Sequence, residues 1–224
     1  AIEARKPELK KRHDALRKNQ FDRHKDRWDD SPISVPRMTH EVYQAVKDKN
    51  WFLTVRNHRS YPEGIWQFGE SGRFMGYDGG GGVGYGPGAS IGAALAHRGE
   101  KGIVPVAIFG DGEFMMLPSA VWTAVHYRVP LLLIVNNNNT WANDEEHQVH
   151  VAKARNRPTE NAWIGQRMIN PDPDYAAVAR GFGAWAEGPV TEPDALTAAL
   201  GRAVTEVEAG RVAVLDVRTF FARD

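Results

Sequence analysis

The chain has 224 residues, 42% of them hydrophobic and 25% charged, enough apolar content for one sizeable core with extensions. Lys plus Arg and Asp plus Glu both total 28, so no charge excess argues for nucleic acid or an anionic membrane surface as a partner. The lack of cysteine excludes disulfides, thiolate metal sites and a cysteine nucleophile and fits a cytoplasmic location, and no apolar run reaches the ~20 residues that span a bilayer, so a soluble protein is expected.

Residues 1–32, "AIEARKPELKKRHDALRKNQFDRHKDRWDDSP", are charged throughout and carry no apolar stripe. They are expected to form an exposed helical linker rather than an RNA-binding arm, because acids such as Glu8, Asp14 and Asp22 are interspersed among the bases. Opening on Ala1 rather than Met, the segment is expected to continue something removed upstream or encoded separately. Residues 33–224 are expected to form one globular domain. "MTHEVYQAVKDK" places Val42, Tyr43 and Val46 at helical spacing, and "WFLTVRN" reads as a buried strand. "HRSYPEGIWQF" reads as a loop running into a helix. In "GRFMGYDGGGGVGYGPGASIGAALAHRG" a glycine cluster precedes a small-residue helix that stops at Gly99.

"GIVPVAIFG" is the next buried strand. The helix "LPSAVWTAVHYR" follows, with Pro118 in its first turn and Val121, Trp122 and Val125 facing inward, and "PLLLIVNN" is another strand. From Trp141 to about Asn170 the chain reads as polar and irregular, a candidate lid in which His147 and His150 are solvated rather than metal ligands. Two helices, "DYAAVARGFGAWAEG" and "EPDALTAALGRAVTEVEAG", then flank a short segment, and "RVAVLDVRTF" supplies a last strand. Trp122, Trp163 and Trp185 are expected in core or interface. Near-continuous apolar strands alternating with helices imply an α/β fold, a doubly wound parallel sheet with helices on both faces.

In such sheets ligands bind outside the carboxyl ends of the strands. Asp111, between Gly110 and Gly112, and the run Asn136 to Asn139 fall at two such ends. A carboxylate with amide and carbonyl oxygens is a hard-oxygen set suited to magnesium or calcium rather than zinc. One Asp holds Mg²⁺ weakly alone, so phosphate oxygens are expected to complete the shell. Gly110, Gly112 and the cluster Gly79 to Gly88 let backbone amides approach such a phosphate. Taken singly, a Gly-Asp-Gly turn or an Asn-capped strand is equally well structural; the pair at neighbouring ends is the specific signal.

Read together, "GDG", the helix and "SAVWTAVHYRVPLLLIVNNNNTW" resemble the diphosphate-binding domain of the thiamine diphosphate enzymes, in the superfamily of acetolactate synthase, pyruvate oxidase and benzoylformate decarboxylase. The resemblance runs from about Ile33 to Phe220, and residues 1–32 resemble the linker before this domain. It implies that the side chains of Asp111 and Asn138 and the carbonyl of Thr140 hold Mg²⁺, which bridges the two phosphates of thiamine diphosphate. Gly110, Gly112, Glu113 and Trp141 are expected beside the cofactor. The turn "GGGGVGYGPGASIGAA" is similar to the family's glycine-rich turn, which implies that the Gly81 carbonyl accepts from the aminopyrimidine, that Gly82 lies against the cofactor, and that Val83 props it into a bent shape. By looser alignment Arg59 and Ser60 touch the diphosphate. Segment "NDEEHQVHVAKARNRPTENAWIGQR" is similar to an acetolactate synthase-like branch.

Two features depart from the family. Glu113 stands where Ser or Ala is usual, and an acid there repels phosphate unless turned away or paired. The family's pyrimidine-activating glutamate lies in a different domain, for which this chain has no room, so half the active site is expected from a separate pyrimidine-binding chain or domain in a hetero- or homo-oligomer. On this resemblance the activity is lyase or transferase chemistry on a small carbonyl substrate, cleaving or forming a carbon–carbon bond in the manner of 2-oxo acid decarboxylases and carboligases. Two alternatives stay open. Gly79, Gly81 and Gly84 also match G-x-G-x-x-G, the mark of an NAD(P)-binding Rossmann oxidoreductase. A regulatory subunit that kept the fold without catalysis is the other.

Overall fold

The computed structural model describes residues 2–56, 64–76 and 82–220. The charged opening is one helix, α1 (Ile2–Asp22), with no buried residue. Exposed pairs four residues apart, such as Lys10–Asp14 and Arg12–Glu8, run along it, so surface charge rather than a core supports it. The end of this extension does dock: the Phe21 and Trp28 rings lie 5.8 and 5.2 Å from the His40 ring.

Helix α2 (Val35–Val46) opens the folded body, with Ser34 accepting the Arg37 amide at 3.3 Å and a proline in its first turn. Then come β1 (Asn50–Val55), α3 (Tyr85–Ala96) and β2 (Ile103–Gly110). The short helix α4 (Asp111–Met116), α5 (Ser119–His126) and β3 (Leu131–Asn137) follow. After α6 (Ala142–Ala154) the chain finishes with α7 (Tyr175–Gly181), β4 (Trp185–Val190), α8 (Pro193–Glu208) and β5 (Val212–Arg218).

Strand order is β1-β2-β3-β5-β4, and every pairing is parallel. Alternate residues of each strand go to opposite faces. Val106, Ile108, Leu132, Ile134 and Leu215 share one core with Met38 and Val42 of α2 and Leu196 and Leu200 of α8. Their neighbours Ala107, Phe109, Leu133, Val135 and Val214 share the other with α3, α5 and α7. The sheet is doubly wound, as the apolar runs imply, since a strand buried on both faces has no polar side to show. Among the described residues no helix is long and apolar enough to cross a membrane.

Four local expectations are corrected. Residues 64–68, read as the start of a helix, are turns and irregular chain. Residues 142–154, read as part of an irregular loop, form α6; it buries only Glu145 and Val149, so there was no apolar stripe to read. Residues 185–188, read as the end of the helix that begins near Asp174, instead open the edge strand β4, since α7 stops at Gly181, and the pairing of β4 shifts register between Glu187 and Val190 around Gly188-Pro189. Trp122, expected to face inward, is 50% exposed, because the buried stripe of α5 runs through Ala120, Val121 and Ala124 and leaves Trp122 outside it. Trp163 is likewise largely exposed, while Trp185 packs against the first core.

Candidate functional site

Parallel pairing in register places Gly110, the last residue of β2, opposite Asn136 near the end of β3. The tips of these two strands, and the end of β5 beside them, assemble the site.

Asp111 follows β2 directly as the first residue of α4, and it is 2% exposed. Its Oδ1 accepts the Gly112 amide at 2.9 Å, and the nearby Asn139 amide favours the charged form of this carboxyl. Its Oδ2 is buried with no hydrogen-bond partner among the described residues. Burial above all, with repulsion from Asp216 added, pushes the Asp111 pKa up to about 7 against the pull of those amides. A buried carboxylate oxygen left without a donor is costly to the fold, and a cation is the group that compensates it.

The four asparagines divide the work. Asn136 Oδ1 accepts the Thr219 hydroxyl at 2.6 Å. Asn137 donates to Asp216 Oδ1 at 2.9 Å, while its own oxygen accepts the Asn139 amide at 3.2 Å and Arg218 Nη1 at 3.3 Å. Asn139 sits at φ 54°, a left-handed position that asparagine tolerates, and its Nδ2 donates to Asp172 at 2.6 Å. Asn138, the one of the four that is only part-buried, accepts the Thr140 amide on Oδ1 at 3.2 Å and keeps a second lone pair on that oxygen. Three asparagines thus fasten the turn, and Asn138 is left partly exposed at its surface.

Thr140 is buried and donates its hydroxyl to Glu145 Oε2 at 2.9 Å. Next to it, the Trp141 indole lies over Gly112 so closely that a Cβ there would come within 2.9 Å of the ring. Glycine at 112 is therefore required by contact between the two strand tips.

Val83 and Gly82 precede α3 and are exposed, Val83 by 52%. The expected contacts of Arg59, Ser60 and Gly81 lie outside the described residues. Glu113, expected to repel a phosphate unless turned away or paired, is paired: its Oε1 accepts the amides of Gly84 at 3.2 Å and Gly86 at 2.8 Å, at the start of α3. A Cβ on Gly86 would lie 2.9 Å from that oxygen. The carboxylate occupies the end of the helix that attracts anions, so these two amides of the glycine cluster serve the fold. Glu113→Gln is expected to cost about 1 kcal/mol and to lower Tm by roughly 2–4 °C, read in a thermal scan at neutral pH. An unchanged melting curve would mean that the charge does no capping.

Sequence reasoning missed Asp216 and Arg218 of β5 and Thr219 just after it, which hold the asparagine turn from behind, and Arg167, which pairs with Glu145 at 2.9 Å. Asp216 had one signal, a lone carboxylate in an apolar strand. His147 and His150 are exposed on α6.

A parallel sheet with a buried acid at one strand tip and a fastened Asn-rich turn at the next defines a cofactor-binding α/β domain with hard-oxygen donors. The chain matches the family model "Thiamine pyrophosphate enzyme, C-terminal TPP binding domain" over residues 57–217, and it belongs to that family. Relatives include the acetolactate synthase large subunit of Haemophilus influenzae, 26% identical over 67% of this chain and 25% of that protein. The benzoylformate decarboxylase of Pseudomonas aeruginosa is 28% identical over 66% of this chain and 26% of its own length. In fold the chain is similar to the thiamine diphosphate-dependent 4-hydroxybenzoylformate decarboxylase of Rhodococcus jostii, with a TM-score of 0.72 and 20% identity over 87% of this chain and 34% of that one. The chain thus spans about a quarter of the length of these curated relatives.

Proposed function

We propose that this chain binds the diphosphate end of thiamine diphosphate through Mg²⁺ held by the Asp111 and Asn138 side chains and the Thr140 carbonyl. Family membership supports the cofactor, and the observation that carries the metal is the buried, unpartnered Oδ2 of Asp111. All three donors are hard oxygens, and they belong to adjoining strand tips. A Cβ on Gly110 would meet nothing within 4 Å, which leaves room for the diphosphate, while Trp141 closes over Gly112. Val83, exposed before α3, is placed to meet the rest of the cofactor together with Gly81 and Gly82 of the same turn, and Arg59 and Ser60 of the preceding loop are proposed on the diphosphate.

Bound there, the cofactor supplies an electron sink for breaking or making a carbon–carbon bond next to a carbonyl. The substrate class is a 2-oxo acid or related carbonyl compound, by analogy with relatives named for acetolactate synthesis and benzoylformate decarboxylation. No acid or base in the described site is placed for proton transfer to a substrate: Asp111 faces the metal position and Glu113 caps α3. A pyrimidine-binding chain or domain completes the active site, and it brings the carboxylate that activates the aminopyrimidine. The family match removes the basis for the dinucleotide alternative. A regulatory subunit that retains the cofactor fold is separated from this reading by binding.

The test is a thermal scan of the protein with whatever chains accompany it, supported by native mass spectrometry. Thiamine diphosphate with Mg²⁺ at a hundredfold excess over Kd is expected to stabilise by about 3 kcal/mol, and NAD by nothing. Equal shifts with both ligands, or none with either, would overturn the proposal.

A further inference from the structure

Resting on that reading, we propose that Glu145 is a positioning residue for the cation site. It acts through the Thr140 hydroxyl, and it couples occupancy of that site to the order of the segment between Thr140 and Met168.

Thr140 is assigned a role through its backbone carbonyl, yet its side chain is not idle. The hydroxyl donates to Glu145 Oε2 at 2.9 Å, and both groups are buried, Thr140 at 5% and Glu145 at 4% exposure. A buried glutamate this close to a diphosphate site is an odd choice, since its charge adds repulsion and desolvation. Arg167 answers both costs: Nη2 donates to Oε1 at 2.9 Å and Nε to Oε2 at 3.2 Å, a two-point clamp that neutralises the carboxylate and fixes its plane. Oε2 thereby accepts the Thr140 hydroxyl together with Arg167 Nε. The carboxylate orients a neighbouring ligand residue and takes no place in the donor set itself.

The backbone around the clasp shows what it fastens. Residues 139–141 pair antiparallel with 166–168: Trp141 N–H donates to the Gln166 carbonyl at 3.0 Å, Met168 N–H to the Asn139 carbonyl at 2.8 Å, and Thr140 bridges Arg167. Glu145 lies in the first turn of α6, and its own amide donates to the Trp141 carbonyl at 3.0 Å. The segment 142–165 therefore leaves the cation turn and returns to it, and the Glu145–Arg167–Thr140 clasp crosses the seam where its two ends meet. A cation on the Thr140 carbonyl restrains the same turn. By reciprocity, whatever stabilises the seam raises cation affinity, and cation binding stabilises the seam. The segment read in sequence as a lid is, on this geometry, a flap sewn to the metal-binding turn.

The experiment uses the whole protein with thiamine diphosphate present, and reads Mg²⁺ affinity by calorimetry and tryptic cutting at Lys153 and Arg155, which are exposed at the end of α6. In the wild type, Mg²⁺ with thiamine diphosphate is expected to slow cutting at these two sites. Thr140→Val keeps the carbonyl and loses the hydroxyl; it should weaken Mg²⁺ binding about tenfold or more and abolish the protection. Thr140→Ser should restore both to within about threefold of wild type, which a requirement for bulk at this position would not produce. Glu145→Gln tests the other end of the clasp and carries the proposal if Thr140→Val does not fold, again with about a tenfold loss. Folded variants that bind Mg²⁺ as the wild type does would overturn the coupling while leaving the function proposed above intact. A wild type that binds no Mg²⁺ with thiamine diphosphate would sink both.

Discussion

Asp111→Asn is expected to abolish magnesium-dependent binding of thiamine diphosphate while leaving the protein, at pH 8, as stable as the wild type or more so. The two halves of that expectation come from one observation. Asp111 is buried, its Oδ2 has no partner among the described residues, and burial has pushed its pKa up to about 7, so at pH 8 the fold carries an under-compensated negative charge. Asparagine has the same shape and keeps an oxygen to accept the Gly112 amide now made at 2.9 Å, but it bears no charge to bury. The cost of a buried amide left short of an acceptor is about 1–3 kcal/mol, comparable with or below that of the ionised acid it replaces. Cation binding has the opposite dependence. The carboxylate is the only charged donor proposed for the metal, so its loss should exceed the 10–100-fold effect of removing an outer contact. Calorimetric titration reads the affinity and a melting scan the stability. An asparagine variant that binds within threefold of wild type would remove Asp111 from the metal site.

This trade between stability and binding also marks where sequence was sufficient. Strand ends are easy to read when a strand is buried on both faces, because the apolar run stops abruptly: "GIVPVAIFG" stops at Asp111 and "PLLLIVNN" stops in asparagines, and the structure puts both stops at adjoining tips. Patterning carries that much. It does not carry the roles of individual asparagines, because those depend on β5, which lies some eighty residues further on and reaches β3 only after the chain has added its edge strand. Neither could it foresee that Glu113 faces α3, since the direction of a side chain in the first turn of a six-residue helix is set by tertiary contacts with Gly84 and Gly86. Helix α6 escaped for a different reason. Its stability comes from Glu145 and the seam with 166–168 rather than from an apolar face, and hydrophobic periodicity is blind to a helix fastened by hydrogen bonds.

The pH dependence of the protein should expose the same carboxylates. Burial raises Asp111 to about 7 and Asp216 to about 6, with the Asp216 charge adding to the shift of Asp111; unfolded carboxyls titrate near 3.9. For an acid whose folded pKa lies above its unfolded value, the folded state binds more protons between the two values. Stability from these groups is therefore fully present below about pH 4, is lost as pH climbs through 4 to 7, and is level above that. Shifts of this size correspond to several kcal/mol at most, and other carboxylates titrate over the same range, so the clean measurement is a difference. The Tm of Asp111→Asn minus that of wild type should be smallest near pH 4, where Asp111 is protonated in the folded and largely in the unfolded wild type, and should rise in favour of the variant up to pH 7 and level off by pH 8. Binding gives the mirror image, because a cation must displace the proton from Asp111 below pH 7. Mg²⁺ affinity in the presence of thiamine diphosphate should fall about tenfold per unit below that point, to about a hundredfold weaker at pH 5, after correction for titration of the cofactor's own phosphate. In the wild type, added cation and cofactor should therefore shift the stability maximum towards alkaline pH. If the corrected affinity is instead flat from pH 5 to 8, the Asp111 carboxyl is not the group that exchanges its proton for the metal.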